Sequence, residues 1–188
     1  MKHHTRLCPS SPARDTRAFS LTGRGFSMVE LVIVMVIVGV VAAIAMPRYA
    51  AARSQYRVQN ACKRLAADYA GLKPTAAAQS GPSTLLMSAN ADYYRLATST
   101  RDASNTPTTL TQTVDLGVEP YQASFVAVTL AAGSGFGFDA YGNPLGSGSA
   151  QLRSSWTLAT VTFASTGDVT VGAPKAMSSA QRTALGAK

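Results

Sequence analysis

Cysteine and histidine are nearly missing from this chain, and where the few copies fall matters as much as their number. There are 2 of each in 188 residues. Cys8 lies in a basic N-terminal stretch and Cys62 in a segment with helical spacing, so no disulfide framework is readable. Cys8 does not mark a lipid attachment site either, because Thr5-Arg6-Leu7 before it is not an apolar run. His3 and His4 both fall near the start. A chain without its first 25 residues would hold one thiol and no imidazole. That excludes a His-based metal site and a His-based triad. Acidic residues are also scarce, 9 against 17 Lys and Arg. Calcium takes about six to eight oxygen ligands. Asp139, Asn143 and Asp168 do not form the dense run that would supply them. No phosphate-binding loop, no nucleophile-base arrangement and no internal repeat is evident.

The charge that is present divides evenly. Lys2, Arg6, Arg14, Arg17 and Arg24 against Asp15 give residues 1–25 a net +4, half of the total of +8. The remaining twelve basic and eight acidic residues give the other +4. That surplus is too weak to argue for a nucleic-acid partner on charge alone.

Phe26 to Met46 reads F-S-M-V-E-L-V-I-V-M-V-I-V-G-V-V-A-A-I-A-M. As a helix, 21 residues span about 31 Å, close to a hydrocarbon core of about 30 Å. Leu31 to Ala45 carry no charge, which argues against the buried helix of a soluble protein. The basic segment before the run predicts a cytoplasmic N-terminus and an exported C-terminal domain. Glu30 is the exception in the run. A carboxylate there needs solvent at headgroup depth, a cationic partner or a proton. A cut after Gly25 would place a new α-amine on Phe26, four residues before it. The amine of one subunit could then meet the carboxylate of the next in an apolar bundle, setting register more than adding net stability.

Gly25-Phe26-Ser27-Met28-Val29-Glu30 resembles the prepilin processing site of type IV pilins and type II secretion pseudopilins. Gly39, Pro47 and the M-P-R-Y junction also fall where that family commonly has them. The resemblance implies cleavage after Gly25 by a membrane aspartic peptidase, which acts as prepilin peptidase and methyltransferase. It implies methylation of the new amine on Phe26. It implies assembly with other pilin or pseudopilin subunits through Glu30, Gly39 and Pro47. A leader of 25 residues is long for many members. The rival is an ordinary secretory signal peptide, for which Ala43-Ile44-Ala45 offers a small-x-small site. On that reading the product is a soluble β domain cleaved after Ala45, and Glu30 is left unexplained.

Pro47 can kink a helix without ending it. Beyond it Val58, Cys62, Leu65, Tyr69 and Leu72 recur at spacings of 4, 3, 4 and 3, an amphipathic stripe. Gly71, Lys73 and Pro74 predict its end. Short β-prone runs follow at Thr84–Ser88, Tyr93–Ala97, Thr111–Leu116, Ser124–Leu130, Gly135–Asp139, Trp156–Phe163 and Val169–Val171. Residues 99–107 read as a polar loop. Tyr93, Tyr94 and Trp156 read as core or sheet-face residues. The fold class expected is α+β and pilin-like, a long N-terminal helix packed on a mainly antiparallel sheet. Its divisions are a leader at 1–25, a membrane helix at 26–46, an amphipathic half at 47–73 and an exported domain at 74–188.

Phe138-Asp139-Ala140-Tyr141-Gly142-Asn143-Pro144 and the hairpin about Thr166-Gly167-Asp168 resemble the C-terminal half of the H-type minor pseudopilins (GspH/FimT-like). The reading is therefore a non-enzymatic minor subunit of a type II secretion pseudopilus or type IV pilus. It would be held in the inner membrane, with no cofactor and no metal. The alternative, of a different functional class, is a DNA-binding minor pilin used in uptake. Lys175, Arg182 and Lys188 are spread along an Ala/Ser/Gly tail without a paired-Arg motif, which speaks against a nucleic-acid partner.

Overall fold

The computed structural model describes residues 26–101, 104 and 106–186. Gly25, both histidines, Cys8, Lys188 and part of the polar loop expected at 99–107 lie outside the described residues. The chain divides into two units, Met1–Val41 and Ala42–Lys188. The first contains the start of helix α1 (Met28–Gln79). The second contains the rest of α1 and all of the sheet.

Helix α1 runs past its expected stop. Gly71 and Pro74 lie inside it, and it ends at Gln79. Pro74 removes one backbone donor, but one lost hydrogen bond does not end a helix whose buried face continues. Leu72 and Ala76 on either side of Pro74 are both in the core. All five residues of the expected stripe, Val58, Cys62, Leu65, Tyr69 and Leu72, are buried as well.

The strands are β1 (Ser83–Met87), β2 (Tyr93–Arg101), β3 (Pro107–Asp115), β4 (Ser124–Phe138), β5 (Pro144–Ser154), β6 (Thr157–Phe163), β7 (Val169–Val171) and β8 (Lys175–Ala176). They form one antiparallel sheet in the order β3-β2-β1-β4-β5-β6-β7, with β8 also on β6. Its inner face meets the helix. Tyr69 lies 4.7 Å from Phe163 and 5.1 Å from Phe138, ring centre to ring centre. Offset, tilted rings of this kind gain more than their buried area alone. Ser54 and Thr157 share a hydroxyl hydrogen bond of 2.8 Å.

Three details differ from the sequence reading. The runs expected at 124–130 and 135–139 are one strand, β4, whose pairing with β5 carries register shifts. The polar loop expected at 99–107 is shorter at both edges among the described residues, since β2 extends through Arg101 and β3 begins at Pro107, with Ser99 paired to Thr109 and Arg101 to Pro107. Strand β5 was not expected at all. Its sequence, P-L-G-S-G-S-A-Q-L-R-S, lacks the bulky residues that announce a strand. Smallness is what the site requires. A Cβ at Gly148 would overlap the Thr129 carbonyl oxygen and press on the Phe136 ring.

A short helix, α2 (Ser179–Ala184), follows β8. Ser178 caps it through a capping box: its hydroxyl accepts from the Gln181 amide at 3.3 Å, and its own amide donates to Gln181 Oε1 at 2.9 Å. Residues 175–186 thus form β8 and the capped helix α2, and Met177 between them is buried.

Candidate functional site

Phe26 and Ser27 precede α1, and the Leu31 amide donates to the Ser27 carbonyl at 3.1 Å. Glu30 falls in the first turn, where unpaired backbone N–H groups favour a carboxylate. Its side chain is exposed, and among the described residues it makes no ion pair. From 26 to 46 every residue is exposed. Ordinary globular surfaces do not present an apolar face of that extent. Among the described residues, α1 is the one helix long and apolar enough to cross a membrane. Nothing lies within 4 Å of a Cβ placed on Gly39, so nothing among the described residues requires a glycine there. The backbone of Pro47 lies within α1 and leaves the Ala43 carbonyl without its intrahelical donor.

Residues 23–46 match the prokaryotic N-terminal methylation motif. The match takes in Gly25, Phe26 and Glu30 and continues through the apolar run. It supports a processed subunit of the type IV pilin or pseudopilin kind, a structural rather than catalytic class. It also supports α1 as a membrane anchor. No curated protein and no solved structure matches the chain.

In the globular unit, three polar clusters fix the fold. Asp68 accepts a short hydrogen bond from the Tyr94 hydroxyl and a 3.0 Å bond from Arg64 Nε. Burial, reinforced by the neighbouring carboxylate, raises the Tyr94 pKa, and the group stays a neutral donor. Glu119 receives Arg57 at 2.7 Å, Arg53 at 3.1 Å and Gln122 at 3.0 Å, fastening the loop before β4 to the helix. Asp139 accepts from the side chain of Asn143 at 3.0 Å and from the backbone amides of Asn143 and Tyr141 at 2.8 and 2.9 Å. The Asn143 bonds, side chain first, hold its carboxyl below the ordinary value. Asp168 accepts from Thr166 at 2.7 Å in the next turn. Gly167 there has φ +88, and a Cβ on it would press on the Phe138 ring. The two turns singled out in the sequence therefore pack against each other. Their polar side chains bond within their own turns, as stabilising loop chemistry does.

Tyr94 is fully buried, as a core assignment requires. Trp156 is not a core residue. It sits 45% exposed on the two-residue turn between β5 and β6, with the Arg182 guanidinium 5.8 Å from its ring centre. Arg153 lines the same shallow cavity of about 420 Å³ beside them. Sequence reasoning missed this grouping because Arg153 and Arg182 are brought together only by β8 and α2.

Proposed function

We propose that this chain is a minor structural subunit of a type IV pilus or a type II secretion pseudopilus. The observation that carries the reading is the methylation motif lying on a helix whose apolar part is uncovered by the rest of the described chain. Cleavage after Gly25 frees the α-amine of Phe26, which is then methylated. The helix holds the subunit in the inner membrane with the sheet domain exported. In the filament, the Phe26 amine of one copy meets Glu30 of a neighbour, and that pair sets register in an apolar bundle. Gly39 lets a neighbouring helix approach closely, and Pro47 frees a backbone carbonyl where α1 leaves the span. The sequence resemblance of the turns about Asp139 and Gly167 is the ground for reading it as the H-type minor subunit. Prepilin peptidase and other subunits of the same filament are its partners.

Intact-mass and N-terminal peptide analysis of protein taken from its native membrane tests the processing. The expected product starts at N-methylated Phe26, and Gly25→Val blocks its formation by crowding the peptidase site. A mature start at Met46 would instead establish signal-peptidase cleavage and a soluble product.

A further inference from the structure

Within the Ala42–Lys188 unit, the apolar run ends at Met46 and α1 continues upward from it. Ser54 lies eight residues further, about 12 Å along the axis. Thr157, at the start of β6, bonds Ser54, and Phe163, at its end, packs on Tyr69. From Ser54 to Tyr69 the helix rises about 22 Å, and β6 rises about 20 Å over its span. Strand and helix therefore run side by side away from the apolar end. The β5–β6 turn carrying Trp156 must point back toward that end.

Cations gather on the β5–β6 side of that end. Arg182 stacks on Trp156, Arg153 stands beside them, and Lys175 is exposed on β8, paired to β6 at Leu158. None of the three cations makes an ion pair among the described residues. On the helix, Arg48 is exposed and Tyr49 is 71% exposed. Glu119, the nearby acid, is already held by Arg53 and Arg57. Asp92 and Asp115 lie at the same end of the sheet but across it on the β2–β3 side, around Gly117.

We propose that this end of the domain rests on the anionic phospholipid surface from which α1 emerges. Trp156 and Tyr49 take the interfacial positions that amphipathic rings favour, and Arg48, Arg153, Lys175 and Arg182 meet lipid phosphates. The headgroup layer is about 5–7 Å thick on each side of the hydrocarbon. Long basic side chains reaching down from the turn close most of the remaining distance. The surface would hold the domain upright on the membrane before assembly. The inference rests on the membrane-spanning reading of α1.

Trp156 is the only tryptophan of the chain, so the native protein carries its own probe. The full chain is reconstituted into vesicles of phosphatidylcholine alone or mixed with phosphatidylglycerol. Quenching of Trp156 by headgroup-labelled nitroxide lipid is then measured. Quenching should be stronger in the anionic vesicles. It should drop about two-fold or more in Arg153→Gln/Arg182→Gln, or in about 0.5 M salt, as screened charge pairs do. Circular dichroism of the variant in the same vesicles establishes that the fold is kept. Equal quenching in both lipid compositions overturns the proposal. So does an unquenched Trp156 combined with a duplex-DNA mobility shift that the double variant loses, which would assign this face to nucleic acid. Vesicle flotation separates the two levels: a chain that floats with Trp156 unquenched loses this proposal alone, and one that fails to float loses the membrane-spanning reading too.

Discussion

Glu30 and Cys62 are both single ionisable groups set among apolar neighbours, and they behave oppositely. Glu30 projects from the exposed first turn of α1 and makes no ion pair among the described residues, and on the proposed reading its partner comes from another copy. Glu30→Val is expected to leave processing largely intact and to lower incorporation into filaments clearly. Comparing the variant's share in purified filaments with its share in the membrane checks this, and a parental level would remove the pairing. Cys62 is sealed between helix and sheet, and burial pushes its thiol up to about 12. The unfolded chain ionises that thiol from about pH 9, while the folded chain does not. Protons are then bound more tightly by the folded state, so stability is full below pH 9 and declines as pH rises toward 12. The slope is at most about 1.4 kcal/mol per pH unit for one group. Burial raises Tyr69 and Tyr94 in the same direction, and both add to the loss above pH 10. Urea midpoints of the folded domain should therefore fall through the alkaline range, and Cys62→Ala should flatten the earlier part of the fall.

Among the elements, β5 shows how a strand can be built from residues that seldom announce one. Small residues recur along its inner face because the aromatic rings of β4 and β6 fill the layer above. Gly148→Val keeps or raises strand propensity but drives a branched side chain into the Thr129 carbonyl and the Phe136 ring. It should cost about 1–3 kcal/mol, as overpacking does, measured by denaturant unfolding. A neutral outcome would mean that β4 can move aside. The helix was far easier to read. Its stripe is a local periodicity, and all five residues named from spacing are buried. Pro74 is a local breaker in sequence, but packing of Leu72 and Ala76 carries the helix through it to Gln79. β4 reads as two runs in sequence because its middle, A-A-G-S, is exposed and lacks the alternation of a half-buried strand.

For the molecule as a whole, the apolar run and the globular unit have separate sources of stability. The sheet covers the helical stripe from Val58 onward, and the contacts that tie the helix to the domain just before it, Arg53–Glu119, Ser54–Thr157 and Arg57–Glu119, all lie after residue 52. Residues 52–188, expressed without the membrane half, are expected to give a soluble, cooperatively unfolding domain. Circular dichroism and thermal melting check this. A disordered or persistently aggregating product would show that the run before residue 52 is part of the fold.

The sequence by itself determined the methylation motif, the apolar span, the position of Glu30 and the amphipathic stripe, because each is a pattern among neighbours within a few helical turns. It also marked the turns at 139–143 and 164–168, whose glycines and Asx residues impose their own backbone geometry. Only the tertiary structure decided that those turns pack together, that Asp68 meets Tyr94, that Glu119 clasps Arg53 and Arg57, and that Arg153 and Arg182 gather about Trp156. The pairs Asp68–Tyr94, Arg182–Trp156, Arg57–Glu119 and Arg53–Glu119 join residues from 26 to 66 positions apart. No local pattern encodes such a meeting; it follows from the order in which the strands pair and from the helix on which they close.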